Sequence, residues 1–137
     1  LREHLFRRIL FATDFSEHAD RAFDAFSYLR HVAEEATLVH VRSPKDGGPA
    51  GGVDPEELLA ERANTLESWG IETRTEVRRG DPAEEILAAE AAMTPSTVLV
   101  GSKGRSRIRR LLLGSVSEEV VARASANVFL VPPPRAV

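Results

Sequence analysis

Cysteine is missing from all 137 residues. That absence excludes a disulfide framework, thiolate zinc sites, iron–sulfur ligation and a cysteine nucleophile together, and it fits a reducing compartment. Aromatic side chains are scarce, with one Trp, one Tyr and six Phe. Nucleic-acid surfaces combine a basic field with stacking aromatics, whereas here Trp69 and Tyr28 stand alone and the formal net charge is −3, so no nucleic-acid partner is expected. No apolar run approaches the ~18 residues of a membrane helix, and the opening LREHLFRRIL has charges where a signal peptide needs its apolar stretch. The expectation is one cytoplasmic domain over residues 1–137, with no membrane contact. A chain this long buries roughly two thirds of its unfolded surface, enough to hold a core without a covalent or metal staple.

Two kinds of segment alternate. Short apolar runs occur at Ile9–Ala12, Leu38–Val41, Val98–Val100 and Val128–Val131, as expected of strands buried on both faces of a parallel sheet. Ile71–Arg78 alternates apolar or hydroxyl residues with charges (Glu72, Arg74, Glu76, Arg78), the pattern of a protected edge strand. Between them, Ala19, Ala22, Phe23, Phe26, Leu29 and Ala33 follow one helical face and predict a single helix over Ser16–Glu35, with Ser16 as its N-cap. Asp54-Pro55 and Asp81-Pro82, each with a Glu three residues after the Asp, open helices near 54–69 and 81–93. A fourth helix starts at the Ser115–Glu118 capping box and runs toward Ser125. Strands alternating with helices predict a parallel, doubly wound α/β sheet with helices on both faces.

The stretch from Val100 to Glu118, VGSKGRSRIRRLLLGSVSE, leaves a strand and enters a helix. Gly101, Gly104, Gly114 and Ser115 fall in it with the spacing G-x2-G-x9-G-S. Free backbone N–H groups at such a helix start favour an anion, and a phosphate lying on backbone nitrogens leaves no room for a Cβ. Taken singly, these glycines turn a loop and the serine caps a helix. The whole spacing at the carboxyl end of a strand favours phosphate. A P-loop is not expected from Gly47 and Gly52, because Val53 and Asp54 stand where Lys and Ser/Thr are required.

With this spacing the sequence resembles the universal stress protein (UspA) family, in particular its ATP-binding G-x2-G-x9-G-[S/T] branch. The segment from Ile9 to Ser16 is similar to the family's first strand with its terminal Asp, and Leu38–Val41 to its second. The resemblance implies a Rossmann-like, adenine nucleotide alpha hydrolase-like fold whose five strands lie in the order 3-2-1-4-5. The first and fourth strands then end side by side at the switch point, where open α/β sheets bind ligands. It further implies ATP as ligand, with Thr13 and Asp14 on the ribose or phosphate side and Val41 against adenine. Gly101, Gly104, Gly114, Ser115, Val116 and Ser117 would enclose the phosphates. Ala12 and Val100 belong to the same binding positions, as do Lys103, which stands where many relatives carry His, and Arg105.

Some residues have competing readings. Alone, Asp14 reads as a turn aspartate; beside the glycine signature it reads as a partner of ribose hydroxyls or of a bound Mg²⁺. His4, His18, His31 and His40 lack ligand-like spacing, and His40 reads as a satisfied core or pocket-wall residue, so no metal is assigned to protein side chains alone. A triad from Ser16, His18 and Asp14 has no G-x-S-x-G elbow behind it. Lys103, Arg105, Arg107, Arg109 and Arg110 form a basic patch that would draw in nucleotide phosphates. The resulting expectation is a regulatory module of the stress response, acting through nucleotide-dependent state or partner binding, with the protein partner unnamed. Efficient hydrolysis is not expected, since no base or arginine finger can be identified. A slow Mg-dependent ATP hydrolase using Asp14 and a nucleotide-free interaction domain are the alternatives. Because Val128–Val131 is apolar on both faces and lacks the charges of the other edge, a homodimer through residues 128–131 is expected.

Overall fold

The computed structural model describes residues 5–43, 52–101 and 115–132. The elements run β1 (Arg8–Ala12), α1 (Glu17–Phe23), α2 (Phe26–Leu29), β2 (Glu35–Arg42), α3 (Pro55–Ser68), β3 (Glu72–Arg79), α4 (Pro82–Met93), β4 (Thr97–Gly101), α5 (Ser115–Arg123) and β5 (Asn127–Val131). All five strands are parallel in one sheet of order β3-β2-β1-β4-β5, the doubly wound arrangement expected from the sequence. None of the helices among the described residues is long and apolar enough to cross a membrane.

Successive strand residues point to opposite faces, and the two faces collect different cores. On one, Ile9, Phe11, Leu38 and Leu99 pack against Ala22, Phe26, Leu59, Ala63 and Leu66 of α1, α2 and α3. On the other, Leu10, Val39, Val41, Val98 and Val100 pack against Ile86 and Ala89 of α4 and Val120 of α5. Helices therefore cover both faces. At the edge, Phe129 and Val131 pack against the first core while Val128 and Leu130 pack against the second, so both faces of β5 are half-buried within the chain.

Local signals account for most boundaries. Ser16 Oγ accepts the Ala19 N–H at 3.2 Å and caps α1. Asp54 accepts the Glu56 N–H and Asp81 the Glu84 N–H, both at 3.0 Å, with Pro55 and Pro82 in the first helical position. Ser115 is the first described residue of α5.

The expected single helix over Ser16–Glu35 is corrected: it is two helices, and Glu35 already belongs to β2. After Phe23 the backbone tightens to three-residue hydrogen bonds, Ala25 N–H to Ala22 O and Tyr28 N–H to Ala25 O, both at 3.0 Å. The Ser27 hydroxyl donates to Asp24 O at 2.7 Å and draws on a carbonyl of the same turn. The tightened turn keeps Phe23 and Phe26 on one side, their rings 5.6 Å apart. At the far end, the N–H groups of Glu34 and Glu35 both bond to Arg7 O and turn the chain into the sheet.

Candidate functional site

Parallel register fixes the geometry at the carboxyl ends of the strands. Ala12 pairs with Val39, and β2 continues three residues further to Arg42. Phe11 pairs with Leu99, and β4 continues to Gly101. β1 thus ends short between two longer neighbours, and this notch is the switch point of the sheet, since the chain leaves β1 toward one face and β4 toward the other.

Four of the residues expected at the site meet here. Ala12, Val41, Val100 and Val116 belong to the same apolar cluster, so β1, β2, β4 and the first turn of α5 share one aliphatic floor. Ser117, in that first turn, is buried. The first N–H groups of a helix have no intrahelical acceptor, so this turn presents donors of partial positive charge.

The polar rim is the turn from β1 into α1. Thr13 is buried, its N–H donates to Val39 O at 2.9 Å, and its Oγ1 accepts the Phe15 N–H at 2.9 Å. Its carbonyl lies 2.9 Å from His40 Nδ1. A carbonyl can only accept, so the His40 proton sits on Nδ1, and His40 is a buried histidine with its hydrogen bond satisfied, within the core or pocket-wall reading of the sequence. Asp14 is exposed and its Oδ1 accepts the Ser16 N–H at 3.0 Å, an Asx turn that orients the carboxylate. The turn-aspartate role is therefore present in the structure.

Gly101 has a packing reason for being glycine. A Cβ there would stand 2.6 Å from the backbone oxygen of His18 and 3.4 Å from Ala22 Cβ, so α1 occupies the space a side chain would need. The sequence offers no sign of this contact, which joins residues far apart in the chain. His18 itself has a buried Nδ1 without a hydrogen-bond partner among the described residues. Lys103, Gly104, Arg105 and Gly114 lie outside the described residues, as do Arg107, Arg109 and Arg110 of the basic patch.

Other features lie away from the notch or carry no ligand set. Arg78 on β3 is held by Glu76 and, at 2.9 Å, by Glu85, and these bonds raise its pKa above the ordinary arginine value. Its charge is committed to the two carboxylates. Among the described residues no group of three or more His, Asp or Glu is disposed to hold a metal ion. An open depression lined by Leu5, Phe6, Thr97, Asn127, Val128 and Phe129 lies at the opposite, amino ends of β4 and β5.

Residues 5–132 match the model of the universal stress protein family. The chain is similar to universal stress protein MJ0531 of Methanocaldococcus jannaschii, with 30% identity covering 97% of this chain and 86% of that protein. In structure it is similar to a universal stress protein from Archaeoglobus fulgidus, at 31% identity and a TM-score of 0.73. That alignment covers 93% of this chain and 44% of the other, so the chain spans less than half of that protein. A universal stress protein family protein from Arabidopsis thaliana with AMP bound shares the fold, with 21% identity, a TM-score of 0.66 and 90% coverage of each chain.

Proposed function

The chain belongs to the universal stress protein family, and from that premise we propose that it is an ATP-binding regulatory module whose nucleotide lies at the switch point between β1 and β4. The observation that carries this reading is the shared aliphatic floor of Ala12, Val41, Val100 and Val116, bordered by the polar turn Thr13–Asp14. Such a surface divides its work as a nucleotide does. A flat apolar base lies on the floor, ribose hydroxyls meet Asp14 and Thr13, and phosphates extend toward the N–H groups and hydroxyls at Ser115, Val116 and Ser117. Val100 and Gly101 close the β4 side, with Lys103, Gly104, Arg105 and Gly114 assigned to the phosphates by the signature. The AMP-bound fold relative supports an adenine nucleotide in general. Mg²⁺ would accompany the phosphates, with Asp14 as the carboxylate that would meet it, and would supply charge neutralisation.

Regulation follows if the nucleotide-bound and nucleotide-free states differ in what they bind. We place the assembly surface at β5, the sheet edge without the charges of β3. Its outward N–H and C=O groups would pair with a second β5 about a two-fold axis. Light scattering at tens of micromolar (roughly the range in which a moderate interface holds) is expected to give a dimer mass; a monomer there contradicts the pairing.

Calorimetric titration of Mg-ATP into the parent and into Asp14→Asn tests the site. Asn keeps the Asx turn to Ser16, so the melting temperature should stay where it is while the affinity falls about tenfold through loss of charge, ~1.4 kcal/mol. Equal affinities would remove Asp14 from the site and leave it as a turn residue.

A further inference from the structure

Phe15 follows Asp14 in the turn from β1 into α1, and its backbone lies in the left-handed region at φ 63°. A bulky residue adopts that conformation only where its surroundings hold it, and glycine or asparagine would suit a bare turn better. The surroundings are specific. The Phe15 ring centroid is 4.6 Å from that of His40 with the planes 35° apart, and the Arg62 guanidinium lies over the ring at 5.1 Å. Each neighbour is itself fixed. His40 Nδ1 donates to Thr13 O at 2.9 Å. Arg62 Nη2 donates to Asp20 Oδ1 at 2.6 Å and Nη1 to Leu58 O at 3.1 Å, leaving its side chain 16% exposed. β2 and α3 thus converge on one ring, and α1 holds Arg62 over it through Asp20.

What the ring holds is the pair of residues before it. The Phe15 N–H is bonded to Thr13 Oγ1 and the next N–H, of Ser16, to Asp14 Oδ1, so the backbone torsions at Phe15 set how both side chains are presented. His40 adds a third tie to the same segment through the Thr13 carbonyl. From this we infer that Phe15, clamped by His40 and Arg62, is a positioning residue that orders Thr13 and Asp14 in advance for the ribose of an adenine nucleotide. The inference rests on the nucleotide reading above. Its physical content is preorganisation: a loose turn must be ordered when ligand binds, and the affinity falls by that cost.

Two substitutions separate positioning from plain stability. Phe15→Gly removes the ring and relieves the positive φ, whereas Phe15→Ala removes the ring and keeps the Cβ that makes this φ unfavourable, so the glycine variant should melt higher. In the nucleotide-free proteins, ¹⁵N relaxation should give order parameters of about 0.85 at Asp14 and Ser16 in the parent and below about 0.6 in both variants. Calorimetry with Mg-ATP should show both variants weakened about tenfold, by the same factor despite their different melting temperatures. Order parameters in Phe15→Gly equal to the parent's overturn the clamp. An affinity within about twofold of the parent in Phe15→Gly, or affinities that follow melting temperature, overturn the positioning role. A parent that takes up no nucleotide defeats the nucleotide reading and the ribose role with it, while the order parameters still decide the clamp.

Discussion

On the face of the sheet covered by α1, α2 and α3 the core is aromatic, and on the face covered by α4 and α5 it is aliphatic. Phe6, Phe11, Phe15, Phe23, Phe26, Phe129 and Trp69 all belong to or pack against the first core, whereas the second is built from Ala, Val, Leu, Ile and Met among the described residues. The same strands supply both: Leu10 and Phe11 are consecutive in β1, Val128 and Phe129 in β5. Rings on the first face meet in tilted and edge-on contacts, Phe11 with Phe26 at 5.8 Å and Phe11 with Phe23 at 5.7 Å, which fix their orientations as well as burying area. The aliphatic face reaches the carboxyl end of the sheet as Ala12, Val41, Val100 and Val116. One face is thereby suited to holding the chain together, and the other ends in a floor of small side chains, the surface proposed above for the base.

Breaking the aromatic side should give the largest effect. Phe26 is fully buried and meets both Phe11 and Phe23, so Phe26→Ala is expected to cost about 3–5 kcal/mol in urea unfolding. The same variant, where folded, should bind Mg-ATP within about twofold of the parent. A large loss of affinity at native stability would mean that the two faces do not divide their roles in this way.

Placing a ring on the other face sharpens the contrast from the opposite direction. Val41→Phe adds bulk to a well-packed position, for about 1–3 kcal/mol of stability. Its defining consequence is expected in binding, a loss of about tenfold or more in Mg-ATP affinity by calorimetry. Retained affinity would exclude Val41 from the base-binding floor.

Much of this division could be read in the sequence, and its limits have physical causes. Continuous apolar runs announced β1, β4 and β5, and Asp-Pro steps announced α3 and α4, because burial and capping are local in sequence. β2 was expected to begin at Leu38 and begins at Glu35, since its first residues are recruited by backbone bonds to Arg7 rather than by apolar side chains. The break after Phe23 left no mark, because a tightened turn needs neither glycine nor proline. Strand order came from the family resemblance and not from periodicity, which says nothing about which strands are neighbours. The family resemblance named Thr13, Asp14 and Val41 as candidates, and their position at the carboxyl ends of β1 and β2 was legible from the apolar runs. The His40–Phe15–Arg62 cluster was not, because it joins the turn after β1 to β2 and α3 and depends on a positive φ at a phenylalanine.

The central claim is where the base lies, and photolabelling with 8-azido-ATP followed by peptide mass spectrometry reads that position directly. The account predicts label on peptides containing Ala12, Val41, Val100 or Val116, suppressed by excess ATP. Competable label confined instead to the peptides of Leu5–Phe6 and Asn127–Phe129, at the amino ends of the strands, would contradict it.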